Sequence, residues 1–252
     1  MMLRHLKLMV FLLALSLIAS CVSTGKLKKS EEAQIHYRLG VSYLNEGNRV
    51  QALQELLKAV DFSPKDKDIH NALGLVYLSL DDSNKALESF TAAITVAPDF
   101  SEGHNNLGVT YLSLEDYDTA IESFEKAASN PMYSTPEMAY NNIGWAYYKK
   151  KDYIKAMASY NKALKYAPAY AMPRFNMGLI YYDQKAYRTA EREFKRLIKE
   201  FPAFAEARQK LGLTYIKMNK RDLALKEFNE VINTSQNNTL RVEAEKYIEL
   251  LK

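Results

Sequence analysis

A single thiol, Cys21, and four histidines are the residues of this 252-residue chain with the widest chemical repertoire. One cysteine excludes a disulfide within the chain and any zinc site built on two thiolates. His36, His70 and His104 are spaced by 34 residues, and Tyr140, Arg174 and Arg208 stand at the same phase further on. Equivalent places on stacked helices lie about 10 Å apart, whereas a zinc ligand sits about 2 Å from its metal. The spacing therefore favours packing between successive units, with a polar tip, over coordination. No glycine-rich phosphate loop, H-E-x-x-H or G-x-S-x-G is present, so no catalytic constellation is expected. The expectation is a non-enzymatic protein with no metal, no small-molecule substrate and no nucleic-acid partner.

The place of Cys21 is informative. Arg4, His5 and Lys7 precede an uncharged run, Leu8 to Ser20, and Cys21 follows it. A basic start, an apolar core and small residues before a cut site describe a secretory signal peptide over 1–20. Its thirteen apolar-run residues span about 20 Å as a helix, short of the roughly 30 Å hydrocarbon core. Ile18-Ala19-Ser20-Cys21 resembles the bacterial lipobox. That resemblance implies a mature lipoprotein beginning at Cys21, with covalent lipid (palmitate included) as its only prosthetic group. The alternative is a plain signal peptide cut nearby, leaving a free thiol. Val22 after the cysteine implies sorting to the outer membrane in a lipoprotein of the enteric type. Loss of Arg4 and Lys7 takes the formal charge from +4 to +2. Residues 21–32 are expected to be the lipidated start and a polar tether, so the body works close to the membrane surface.

The remaining composition is that of an ordinary folded protein: 48% hydrophobic and 25% charged, with nine glycines and seven prolines. It is too apolar for a disordered chain and too poor in Pro and Gly for a fibrous one. The charge is dispersed, without the basic patch that nucleic acid requires.

These ordinary numbers hide a period. Gly40, Gly74 and Gly108 are spaced by 34, as are Gly144, Gly178 and Gly212, with a step of 36 between the two sets. A tyrosine follows each glycine by three residues and an alanine follows it by twelve. Pro64, Pro98, Pro168 and Pro202 close four of the units. Within each unit, apolar residues recur at helical spacing in two segments separated by a turn. Gly74 and Ala86 mark where two helices cross closely, and the aromatic at Phe90 is expected to fill space between neighbouring units. Pro98 should stop the second helix. The pattern resembles the tetratricopeptide repeat, with units 33–66, 67–100, 101–136, 137–170, 171–204 and 205–238. Residues 239–252 place Leu240, Ala244, Tyr247, Ile248 and Leu251 on one face, as a helix sealing the last unit would. The fold expected is all-α: a right-handed solenoid of six tetratricopeptide repeats with a C-terminal capping helix.

The family resemblance implies that the first helix of each repeat lines a concave surface. Asn71, Asn105 and Asn141 stand at one phase of that helix, and Asn106, Asn142 and Asn176 at the next. A column of amides can pair with the backbone of an extended peptide, and is equally suited to bridging neighbouring helices. Nearby phases hold Val41, Leu75, Val109, Trp145, Leu179 and Leu213, then Leu44, Leu78, Leu112, Tyr148, Tyr182 and Ile216. The candidate groove is centred on Trp145, Tyr148, Leu179 and Tyr182 with these asparagines, Trp145 being the expected anchor. Tyr37 and Val41 replace the Lys and Asn that a chaperone-tail clamp needs, which argues against that partner.

One insertion, Asn130 to Pro136, separates the third and fourth units. It is either a widened loop, made rigid by its two prolines, or a family mark. Together with the lipobox and six repeats, it resembles the pilotin lipoproteins of type IV pilus systems. That resemblance implies a periplasm-facing outer-membrane scaffold that binds secretin subunits and aids their localisation and multimerisation. The alternative is a periplasmic adaptor for peptidoglycan enzymes.

Overall fold

The computed structural model describes residues 28–251, and the expectations for the signal peptide, Cys21 and 22–27 lie outside them. Among the described residues there are thirteen helices and no strand. Helix α1 occupies 28–45, and α2 is Arg49–Phe62, α3 Lys67–Ser79, α4 Ser83–Val96 and α5 Ser101–Ser113. Then come α6 Tyr117–Ser129, α7 Pro136–Lys149, α8 Tyr153–Tyr166, α9 Ala171–Asp183, α10 Tyr187–Glu200, α11 Ala205–Lys217, α12 Arg221–Thr234 and α13 Asn238–Leu251. The chain forms two compact units, one ending at Glu115 and the other beginning at Asp116. Each is a stack of antiparallel helices in solenoid fashion. Residues 28–32, expected in the tether, are helical instead. The run Lys28 to Glu32 suits a helix, and Ala33, buried against Ala59 and Ile69, ties it down.

The turns explain the period. The second residue after each first helix has positive φ: Gly47, Asp81, Glu115, Lys151, Lys185 and Asn219, all between 57° and 79°. The next backbone N–H then reaches back to the carbonyl of the periodic tyrosine. Asp82 bonds Tyr77, Asp152 bonds Tyr147 and Ala186 bonds Tyr181, each at 2.9 Å. This six-to-one closure satisfies carbonyls that the helix end would leave bare. Asp82, Asp116 and Asp152 then cap the second helix, their carboxylates accepting from the backbone N–H three residues on. At the far end, Ala97 and Ala167 adopt extended φ near −133° before Pro98 and Pro168, as a residue preceding proline must.

In four repeats the core is a ring laid on the periodic glycine: Gly74, Gly144, Gly178 and Gly212. A Cβ on Gly74 would come within 2.5 Å of Phe90, and one on Gly144 or Gly178 equally close to Tyr160 or Phe194. The aromatic expected to fill space between units thus packs first against its own repeat. At Gly40 the partner is Leu56 instead, 2.6 Å from such a Cβ. In the second unit, α13 closes the stack: Leu240 and Ala244 are buried, and Tyr247 stacks on Phe228 at 5.1 Å.

Candidate functional site

The histidine phase has a structural task. His70 and His104 meet the carbonyls of Pro64 and Pro98 through Nε2 at 2.9 and 2.8 Å. Arg174 and Arg208 donate to the carbonyls of Pro168 and Pro202 in the same way. In these four repeats the position ties the repeat to the loop that enters it, whereas Tyr140 at the same phase stacks on Tyr166 at 5.6 Å. His36 has no preceding proline loop and meets Glu55 at 2.6 Å. A bond from Lys58 and then one from His36 hold the Glu55 carboxyl below its ordinary range. Among the described residues no group of three or more His, Cys, Asp or Glu could hold a metal ion.

The asparagines are also engaged. In the first unit Asn106 donates its amide to Asn71 at 2.9 Å. In the second, Asn176 donates to Asn141 at 3.1 Å. Asn105, Asn141 and Asn176 are buried, and Asn142 is half-buried. The second role expected of these amides, bridging neighbouring helices, is the one seen in these two bonds. They bridge neighbouring first helices, because a buried amide must find a partner. Leu179, also expected in the groove, is buried at 8% exposure and belongs to the core. Gln209, at the Asn141 phase, continues the theme by donating to Glu243 of α13 at 2.6 Å.

What remains accessible is apolar and aromatic. In the first unit Leu75 and Val109 are exposed, with Val41, Leu44, Leu78 and Leu112 half-buried. In the second, Trp145 and Tyr148 of α7 stack at 5.0 Å and 23°, and Lys149 lies over the Trp145 ring. Tyr153 of α8 leans on Tyr148 at 6.0 Å. Tyr182 of α9 meets Tyr187 edge-on at 5.6 Å. The Tyr148 hydroxyl donates to Asp183 at 2.6 Å. Burial, then this bond and the Asp183 charge, push the Tyr148 phenol well above its ordinary 10.0. Rings held by such contacts keep their orientation without a ligand, which lowers the ordering cost of binding.

Tyr153 and Asp183 were missed in the sequence, yet a signal for Asp183 was present. It follows Tyr148 by 35 residues, the same offset that joins Asn71 to Asn106 and Asn141 to Asn176. First helices of successive repeats thus meet one residue out of the 34-residue step. The arrangement offers rings that can grip side chains.

Comparison with known proteins bears on the whole chain. Tetratricopeptide-repeat family models match residues 33–66 and 205–238, residues 71–135 and residues 174–203, and a TPR-repeat model matches 144–185. No curated protein matches. The crystal structure of PilW, a widely conserved type IV pilus biogenesis factor, has a TM-score of 0.75 at 21% identity, over 83% of this chain and 97% of that one. PilF of Pseudomonas aeruginosa has a TM-score of 0.71 at 20% identity, over 87% and 99%. A tetratricopeptide repeat protein from Parabacteroides merdae has a TM-score of 0.70 at 18% identity, over 88% and 89%. At these identities the likeness is one of fold.

Proposed function

We propose that this chain, which belongs to the tetratricopeptide-repeat family, is a lipid-anchored scaffold of the bacterial outer membrane that helps secretin subunits of a type IV pilus reach the membrane and multimerise. The family makes it a protein-interaction scaffold. The finer reading is supported by the near-complete overlap with PilF and PilW, both covered over at least 97% of their own chains. The lipobox-like Ile18 to Cys21 supplies the anchor in this reading. No helix among the described residues is long and apolar enough to cross a membrane. Recognition is carried by the rings of Trp145, Tyr148 and Tyr182, which sit half-buried along the first helices of the second unit. Large aromatic side chains held in this way dominate many protein interfaces.

The test is a photocrosslinking residue placed at Trp145 in living cells, combined with a gene deletion. Capture of secretin, and loss of its outer-membrane multimers and of pili on deletion, is the expected result. Capture of peptidoglycan hydrolases with normal secretin multimers would replace this reading by that of a cell-wall adaptor.

A further inference from the structure

A cavity of about 350 Å³ lies in the second unit between α6, α7 and α8, away from the Trp145 cluster. Ile143 forms its floor, with Tyr140 and Tyr147 one turn to either side on α7. Two small residues open it. Ala128 stands where the other five repeats carry Val60, Ile94, Leu164, Ile198 and Ile232. Ala158 stands where they carry Gln54, Glu88, Glu122, Arg192 and Lys226. Both truncations fall on the two helices that wall this one cavity. The two-residue insertion before α7 lies at the same junction.

The rim is charged. Lys155 lies over the Tyr147 ring at 5.2 Å and Lys162 over Tyr140 at 5.3 Å, while Glu125 is the one carboxylate of the lining. Helix α8 carries Lys155, Lys162 and Lys165 and no acid within its span. The Lys155 ammonium also meets the Asp152 carboxylate just before α8, at 3.4 Å, whereas no carboxylate lies within ion-pair distance of Lys162 among the described residues. A hollow of this size with an apolar floor is in the range of ligand pockets, and its cationic edge selects what may enter.

We propose that this cavity is a second docking site, distinct from the Trp145 face, for one large apolar side chain carried on an acidic segment of a protein partner. The side chain packs on Ile143 between the two tyrosines, and its flanking carboxylates meet Lys162 and share Lys155 with Asp152. Ala128 and Ala158 are the specificity-determining residues, since a longer side chain at either would narrow the hollow.

The probe is the peptide acetyl-Glu-Asp-Phe-Glu-Glu-amide, titrated calorimetrically into the full-length chain in detergent. The expected dissociation constant is about 1 mM or tighter, with peptides carrying Lys for the acids or Ala for Phe at least about tenfold weaker. Ala128→Ile should weaken the acidic peptide about tenfold with the melting temperature kept, and Trp145→Ala should leave it unchanged. Should Ala128→Ile fail to fold, Ala158→Glu, which restores a residue that two repeats already hold, decides in its place. No binding, equal binding of the Lys peptide, full affinity in the folded cavity variant, or loss with Trp145→Ala would each overturn the proposal.

Discussion

Asn176 donates its side-chain amide to the side-chain oxygen of Asn141 at 3.1 Å, and both residues are buried. Removing one partner strands the other away from water, at a cost of about 1–3 kcal/mol. Asn141→Ala and Asn176→Ala should each lower stability by that much, and the double variant by clearly less than their sum. Urea denaturation of the four proteins closes the cycle. A coupling of zero would mean the amides do not hold α7 and α9 together.

Three second helices have an aspartate N-cap, but the N-cap of α10 is Ala186, which offers no side-chain bond. Its φ of −78° and ψ of 55° resemble those of Asp152, at −82° and 75°. Ala186→Asp should therefore stabilise the protein by about 1 kcal/mol, and Asp152→Ala destabilise it by a similar amount. Both are read from the shift in denaturation midpoint at constant slope.

Tyr160 occupies the ring-on-glycine position that is phenylalanine in four other repeats, and its hydroxyl is buried without a hydrogen-bond partner among the described residues. A buried polar group left unpaired costs about 1–3 kcal/mol. Tyr160→Phe keeps the ring over Gly144 and removes the oxygen, so it should raise stability by about 1 kcal/mol. Thermal unfolding checks this, and a lower melting temperature would show that the hydroxyl has a favourable contact.

The alkaline limb of stability should be steep. Burial raises the phenols of Tyr37, Tyr140, Tyr148, Tyr160 and Tyr182 above their ordinary 10.0. Bonds to Glu191 and then to Tyr215 push Lys195 up to about 12. A group whose folded value is raised contributes stability that is complete below its unfolded value and is lost as pH climbs through the folded one. Stability should therefore hold to about pH 10 and fall above it. Tyr148→Phe should flatten that fall, while costing about 1 kcal/mol near neutrality through the lost bond to Asp183. Denaturation midpoints across this range decide the matter, and a fall of unchanged steepness would acquit Tyr148.

The helical pairs, their order and the sealing role of α13 were legible because Gly, Tyr, Ala and Pro recur at fixed phase, and sterics demand those residue types there. The left-handed turn residues were not: Asp81, Glu115, Lys151 and Lys185 carry no sequence mark of their φ near 60°. They adopt it because the closing hydrogen bond offsets the strain. The helical start at 28–32 was hidden by a polar composition that suits tether and helix alike. The asparagines were ambiguous in principle, since an amide serves a ligand or a neighbour with the same atoms. The two Asn–Asn bonds follow an offset of 35, and that offset exists only once helices are stacked.

That offset also restricts how the chain can change length. Excising 171–204, one whole repeat, would keep every glycine, tyrosine and proline in step, and the remaining helices could still stack. It would, however, bring Lys210 to the place opposite Asn141 that Asn176 holds now, and Lys217 to the place of Asp183 beside Tyr148. An ammonium would then press on a buried amide, and the tyrosine would lose its acceptor. The joint between the fourth and fifth repeats is thus keyed. Its halves recognise each other, so repeats of one shape are not interchangeable parts, and the order in which they follow is written into the seams.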